Sequence, residues 1–132
     1  MKKLLSLFCL TALVAFQVQA KDAKIADINH NDLKKALVEG KVTLIDVNGS
    51  DSYKQGHIPG AIDFESQKAD LAKLLPKDKA ALVVAYCGSS YCSAYKYGAQ
   101  AALDLGYTNV LHYKEGLAGW KAKNEKLEQP KM

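Results

Sequence analysis

The sequence predicts an α/β fold, a mostly parallel sheet covered by helices on both faces, and three observations carry that expectation. Apolar residues alternate along the chain between a period near two and a period near 3.6, as strands and amphipathic helices do in turn. Two runs, VTLIDV at residues 42–47 and ALVVAY at 81–86, are β-branched and nearly continuously apolar, as strands buried on both faces are. The connections are short, so right-handed crossovers join successive strands.

The elements follow in order. Residues 24–28 form a first candidate strand, and Asn29 or Asn31 caps a helix that runs through Val38 and stops at Gly40. After the strand at 42–47 comes a short polar helix over 50–55, ending at Gly56. HIPGA at 57–61 is a turn, with Pro59 fixing φ and Gly60 free to take a positive one. Residues 61–64 resume as strand, 69–75 form a helix stopped by Pro76, and 81–86 make the central strand. The helix over 93–105 carries Ala94, Gly98, Ala101, Ala102 and Leu105 on one stripe, small enough to lie close on a sheet, and Gly106 ends it. A last strand spans 109–113 and a last short helix 116–123, with Trp120. The polar tail at 124–132 is expected to fray.

The N-terminus sets the compartment in which the cysteines act. Met1, Lys2 and Lys3 give a cationic start, an uncharged apolar stretch follows to Phe16, and Val18, Gln19 and Ala20 suit a signal peptidase. Residues 1–20 therefore read as a cleaved secretory signal, too short in its apolar part for the roughly 20 residues of a membrane span. The mature chain is expected in the periplasm, without stable membrane association, and Cys9 leaves with the signal. Cleavage removes Lys2 and Lys3, lowering the net charge from +4 to +2. Acidic and basic residues are mixed, so no nucleic-acid face is expected. Residues 21–123 supply one core, not two.

Cys87 falls at the carboxyl end of the central strand, where open α/β sheets bind their ligands. A helix start lies a few residues on, and unpaired N–H groups with the positive end of the helix dipole favour a thiolate. Gly88, Ser89 and Ser90 turn tightly and leave a central sulfur uncrowded, a poor composition for core packing. A reachable thiolate is a nucleophile, so Cys87 is the candidate catalytic residue.

Three stretches resemble the rhodanese-like family, single-domain and secreted in this case. LIDVNGSDSYKQGHIPGAIDF at 44–64 resembles its first signature, VVAYCGSSYCSAYKYGAQAALDLGY at 83–107 its active-site segment, and NVLHYKEGLAGW at 109–120 its closing signature. The resemblance implies a five-stranded parallel sheet flanked by helices. It also implies a sulfurtransferase that moves sulfane sulfur through a Cys87 persulfide, from a small donor to a thiol or cyanide acceptor, with no cofactor. The substrate loop would be Gly88, Ser89, Ser90, Tyr91 and Ser93, with Tyr91 exposed at the entrance.

The departures from the family pattern bear on the donor. Asn48 stands where an arginine commonly follows the Ile-Asp-Val strand, and Glu115-Gly116 where Gly-Gly precedes the last helix. The loop holds no cation and every basic residue of the chain is lysine, so no bidentate clamp for a thiosulfate dianion is available. A polysulfide or organic persulfide is then as fitting a donor. The missing arginine also argues against the phosphatase and arsenate-reductase members of this fold class.

Cys92 has two readings. It is either half of a permanent structural disulfide with Cys87, in a non-catalytic carrier or interaction module, or a resolving thiol whose disulfide a thiol reductant reopens. A metal site built on Cys87, Cys92, His57 and His112 is disfavoured by the cysteine spacing and the distance between the histidines in sequence. His57 reads as a turn residue, His112 as a strand residue, and Asp46 as a buried support for the loop that follows it. Tyr86, Tyr95 and Tyr97 read as aromatic packing.

Overall fold

The computed structural model describes residues 24–131, so the signal reading of residues 1–20 lies outside the described residues. Four parallel strands form the sheet: β1 (Val42–Asp46), β2 (Ile62–Asp63), β3 (Leu82–Tyr86) and β4 (Val110–His112), in spatial order β2-β1-β3-β4. Among the described residues, six α-helices accompany them: α1 (His30–Val38), α2 (Ser50–Gln55), α3 (Phe64–Gln67), α4 (Leu71–Leu74), α5 (Tyr95–Asp104) and α6 (Gly116–Ala122). No helix among the described residues is long and apolar enough to cross a membrane.

Alternation along β1 and β3 divides the core in two. Leu44, Val84 and Tyr86 face Leu33 of α1 with Leu117 and Trp120 of α6, while Ile45, Val83 and Ala85 face Leu71 of α4 with Ala99 and Ala102 of α5. Both faces are therefore covered, as the near-continuous apolar runs required. In α5 the close approach rests on Gly98, where a Cβ would lie 2.9 Å from methyl carbons of Ile45 and Val47. Ala99, outside the expected stripe, is fully buried.

Most elements form where the sequence placed them, with Asn29 accepting the Asp32 N–H as the cap of α1. The expected fifth strand does not form. Residues 24–28 lie beside β4, but only Asp27 bridges to His112, through one bond from His112 N–H to Ala26 and one from Ile28 N–H to His112. β4 is three residues long and offers no more ladder. The helix expected over 69–75 forms as a 3-10 turn at Lys68–Asp70 followed by α4, and the strand expected over 61–64 is shorter, ending at Asp63 where α3 begins with Phe64.

The tail does not fray. His57 and Glu128 exchange both backbone bonds, Glu128 also accepts the Gly60 N–H through its carboxylate, and the Trp120 indole donates to the Lys126 carbonyl. Glu125 accepts from Lys34 at 2.7 Å and faces His30 at 3.1 Å, and the Lys34 ammonium holds its carboxyl below the usual range. Polar composition concealed this docking because the partners are backbone groups and buried histidines. Ending the chain at Asn124 leaves these donors unpaired, and net hydrogen-bond values predict a stability loss of about 2–4 kcal/mol. Urea unfolding of the two chains measures it; an unchanged midpoint would contradict the docking.

His112 carries a pH signature. It is buried, stacks on Tyr95 with ring centroids 3.4 Å apart, and places Nδ1 2.9 Å from Asp27, while Nε2 has no partner among the described residues. Burial lowers its pKa below 6.5, outweighing the upward pull of Asp27. The unfolded chain thus takes up this proton first, and stability falls as pH drops below 6.5 toward the folded value. The expected NMR titration of the His112 ring has its midpoint below 6.5; a midpoint above it would reverse the sign.

Candidate functional site

Strand order fixes the site. From β1 the chain leaves through α2 to β2 on one side, and from β3 it leaves through α5 to β4 on the other. The connections part at the carboxyl ends of β1 and β3, which is the switch point where open α/β sheets form a crevice. Cys87 is the residue after β3, and Asn48 lies two residues past β1.

Cys87 is 1% exposed and is joined to Cys92 by a disulfide across a separation of five residues, with Cα atoms 6.2 Å apart. The loop between them is turned by the bond from Cys92 N–H to the Ser89 carbonyl. The N–H groups of Gly88, Ser89, Ser90 and Ser93 have no hydrogen-bond partner among the described residues. Tyr91 stands out into solvent at 97% exposure. The loop thus carries four N–H donors without partners, with its one large side chain turned out to solvent.

Helix α6 supports this loop from behind. Leu117 N–H donates to the Cys87 carbonyl and Ala118 N–H to that of Gly88, both at 2.9 Å. Gly116, at φ +61°, makes the approach feasible: a Cβ there would lie 2.5 Å from the Cys87 carbonyl oxygen and 2.9 Å from Ser89 N. The closing Glu-Gly pair therefore retains the glycine that matters for packing. Sequence reasoning noted the pair as a departure and missed Gly116 as the seat of the loop.

Asp46 and His57 are drawn into one network. The Tyr86 hydroxyl donates to Asp46 Oδ2 at 2.6 Å and accepts the Ile58 N–H at 3.0 Å, while Asp46 Oδ1 accepts the Asn48 N–H at 2.8 Å. Burial raises the Asp46 pKa against the lowering pull of these bonds. Its proton is held more tightly in the folded chain, so the associated stability is greatest below 3.8 and is lost as pH rises through the folded value. Burial also drives the Tyr86 phenol far up, keeping it a donor. His57 stacks on Tyr53 at 3.6 Å and its Nδ1 lies 2.9 Å from the Tyr53 carbonyl. Among the described residues, neither side chain bonds to a cysteine sulfur. They hold the turn and the loop after β1.

A cleft of about 550 Å³ opens beside the loop, lined by Val47, Asn48, Phe64, Glu65, Lys68 and Tyr97 among others. Asn48 links it to the cradle: its Oδ1 lies 3.3 Å from where a Gly88 Cβ would sit, and its buried Nδ2 has no partner among the described residues. Tyr97 is 72% exposed here rather than packed in the core. Lys68, which no sequence motif marked, is the cation lining the cleft. His57 and His112 do not converge on the cysteines, and among the described residues no three His, Cys, Asp or Glu side chains are arranged to hold a metal ion.

The profile of the Rhodanese-like domain family matches residues 29–123, spanning this sheet, loop and closing helix. The chain belongs to the rhodanese-like family. Among its relatives, the HTH-type transcriptional regulator Rv0324 of Mycobacterium tuberculosis is 34% identical over 95 residues, covering 71% of this chain and 41% of that protein. This chain therefore spans less than half the length of that regulator. The thiosulfate sulfurtransferase GlpE of Pseudomonas savastanoi pv. phaseolicola is 29% identical, covering 67% of this chain and 80% of GlpE. Among solved structures, the human single-domain sulfurtransferase TSTD1 superposes with a TM-score of 0.61 at 20% identity, covering 76% of this chain and 98% of TSTD1. That likeness shows the rhodanese fold.

Gly116 offers a direct test of the cradle's support. Gly116→Ala forces a side chain against the Cys87 carbonyl at a positive φ, which predicts a stability loss of about 1–3 kcal/mol and displacement of the loop. Denaturant unfolding reads the first, and amide chemical shifts of residues 88–93 the second. Unchanged shifts would show that α6 does not seat the loop.

Proposed function

We propose that this rhodanese-like chain is a sulfurtransferase working through a persulfide on Cys87, with Cys92 as the resolving thiol. The observation that carries the reading is Cys87 at the β1–β3 switch point, in a loop whose unpaired N–H groups favour a thiolate. The sulfurtransferase relatives support the general activity.

In the reaction, the Cys87 thiolate attacks the sulfane sulfur of a donor, the donor's remaining thiolate or sulfite leaves, and Cys87 becomes a persulfide. An acceptor thiolate or cyanide then attacks the outer sulfur and returns the Cys87 thiolate. Alternatively, the Cys92 thiolate attacks Cys87 Sγ and hydrosulfide leaves. The sulfane sulfur is then reduced to sulfide while two thiols become the Cys87–Cys92 disulfide, the bond present in the structure. A thiol reductant reopens it.

The loop supplies neutral donors only, from backbone and from the Ser89 and Ser90 hydroxyls, and Lys68 is set apart in the adjoining cleft. This composition favours an organic persulfide, with a single charge on its sulfur, over the thiosulfate dianion. The secretory reading of residues 1–20 adds a periplasmic setting. A second reading, a carrier or interaction module locked by a permanent disulfide, has in its favour the near-complete burial of Cys87.

Two variants separate the readings. Cys87→Ser is expected to lose sulfur transfer at least 100-fold (~2.7 kcal/mol in the barrier) with thiosulfate and with polysulfide, while keeping its fold. Cys92→Ser is expected to accumulate a +32 Da persulfide on Cys87 and to turn over without added reductant. Mass spectrometry and transfer rates after reducing pretreatment provide the measurements. Retained activity in Cys87→Ser would remove the nucleophile assignment, and an inert Cys92→Ser whose melting temperature alone falls would establish the permanent bridge.

A further inference from the structure

The two sulfurs of the disulfide are unequal, and the inequality gives it a direction. Thiol–disulfide exchange is an in-line displacement: the incoming thiolate approaches one sulfur along the S–S axis, on the side opposite the sulfur that leaves. To displace Cys92, a thiolate would have to reach Cys87 from within the fold. That side is closed, for Cys87 is 1% exposed at the end of β3 and its carbonyl is bonded to α6. To displace Cys87, it would reach Cys92 from outside. Cys92 is half-buried, between Tyr91 at 97% exposure and the exposed Ser93.

The leaving group is unequal in the same sense. Departure of Cys87 leaves a thiolate at the base of the loop whose Gly88, Ser89 and Ser90 N–H groups lack other partners. A leaving thiolate stabilised in this way departs faster. From Cys87 through Leu103 the chain has no acidic residue and one lysine, Lys96, so nothing in this segment repels an anionic thiolate.

We propose that the oxidised chain is a directional thiol–disulfide exchange centre, entered by a reductant thiolate at Cys92 with Cys87 as the leaving thiolate. The reductant is a dithiol, or two equivalents of a monothiol. Its first thiolate bonds to Cys92 Sγ as the Cys87–Cys92 bond breaks and Cys87 takes the electron pair. A second reductant thiolate attacks the first reductant sulfur, releasing Cys92 as a thiolate and leaving the reductant oxidised to its disulfide. Two electrons pass to the chain and both cysteines end reduced. The inference extends the proposed function to its regeneration step but stands on the disulfide alone, whether or not Cys87 carries sulfur.

The test uses the full chain purified without reductant. It is mixed with reduced glutathione, quenched in acid within milliseconds to seconds, alkylated with a maleimide, and peptide-mapped by mass spectrometry. The expected adduct is glutathione on Cys92 with the maleimide on Cys87, in at least tenfold excess over the reverse arrangement. Glutathione on Cys87, an even split, or a disulfide that neither glutathione nor dithiothreitol opens would each overturn the proposal. Sulfur transfer by the pre-reduced chain is measured in parallel. Its loss bears on the persulfide reading alone, and the site of the glutathione adduct bears on the exchange alone.

Discussion

The bond between Tyr86 and Asp46 is the constraint on which the site depends. These residues are paired in register at the carboxyl ends of β3 and β1, one step before the chain leaves the sheet at both places. A buried hydrogen bond to a charged or partly charged carboxyl is worth about 1.5–3 kcal/mol, and leaving either partner alone costs its full desolvation. Here the pair also recruits the Ile58 N–H and the Asn48 N–H, so one buried cluster fixes β1, β3, the turn after α2 and the loop that faces Gly88. Cys87 is positioned because its predecessor cannot move.

A second constraint is close backbone approach. Gly98 lets α5 lie against Ile45 and Val47, and Gly116 lets α6 press on the Cys87–Ser89 backbone. The last helix therefore seats the loop directly, while the helix that follows the loop is anchored against Ile45 and Val47. The tail closes the other end of the network, since Glu128 pairs with His57 in the same turn whose Ile58 N–H reaches Tyr86. A continuous run of bonds thus joins the C-terminal segment to the strand ends at the cysteines.

The chemistry at this place is set by what the loop lacks. Without arginine, stabilisation of negative charge falls to neutral backbone donors, which suit a single thiolate better than an oxyanion with two charges. Cys87 is buried and Cys92 half-buried between exposed neighbours, so the loop places one sulfur inside the fold and the other nearer its surface. Tyr97, Phe64 and Lys68 line a cleft adjoining the same loop, so shape and one cation lie beside the cysteines rather than among them.

The sequence by itself determined the strands β1 and β3, the cap of α1, the HIPGA turn and the placement of Cys87, because each is written in local terms: a run of β-branched residues, a capping asparagine, a Pro-Gly pair. It also marked Asp46 as a buried support, since an acid inside an apolar strand must find partners. The tertiary structure alone decided the rest. Residues 24–28 have strand composition, but a ladder is only as long as its partner, and β4 is three residues. The tail is polar, yet its bonds run to backbone groups and histidines far away in the chain, which composition cannot register. Tyr97 and Lys68 became cleft residues only when α5 and the 3-10 turn met beside the sheet. Likewise, the order of exposure of Cys87 and Cys92 is a property of the packed loop: two identical side chains differ because one directly follows a buried strand and the other lies between exposed loop residues before α5.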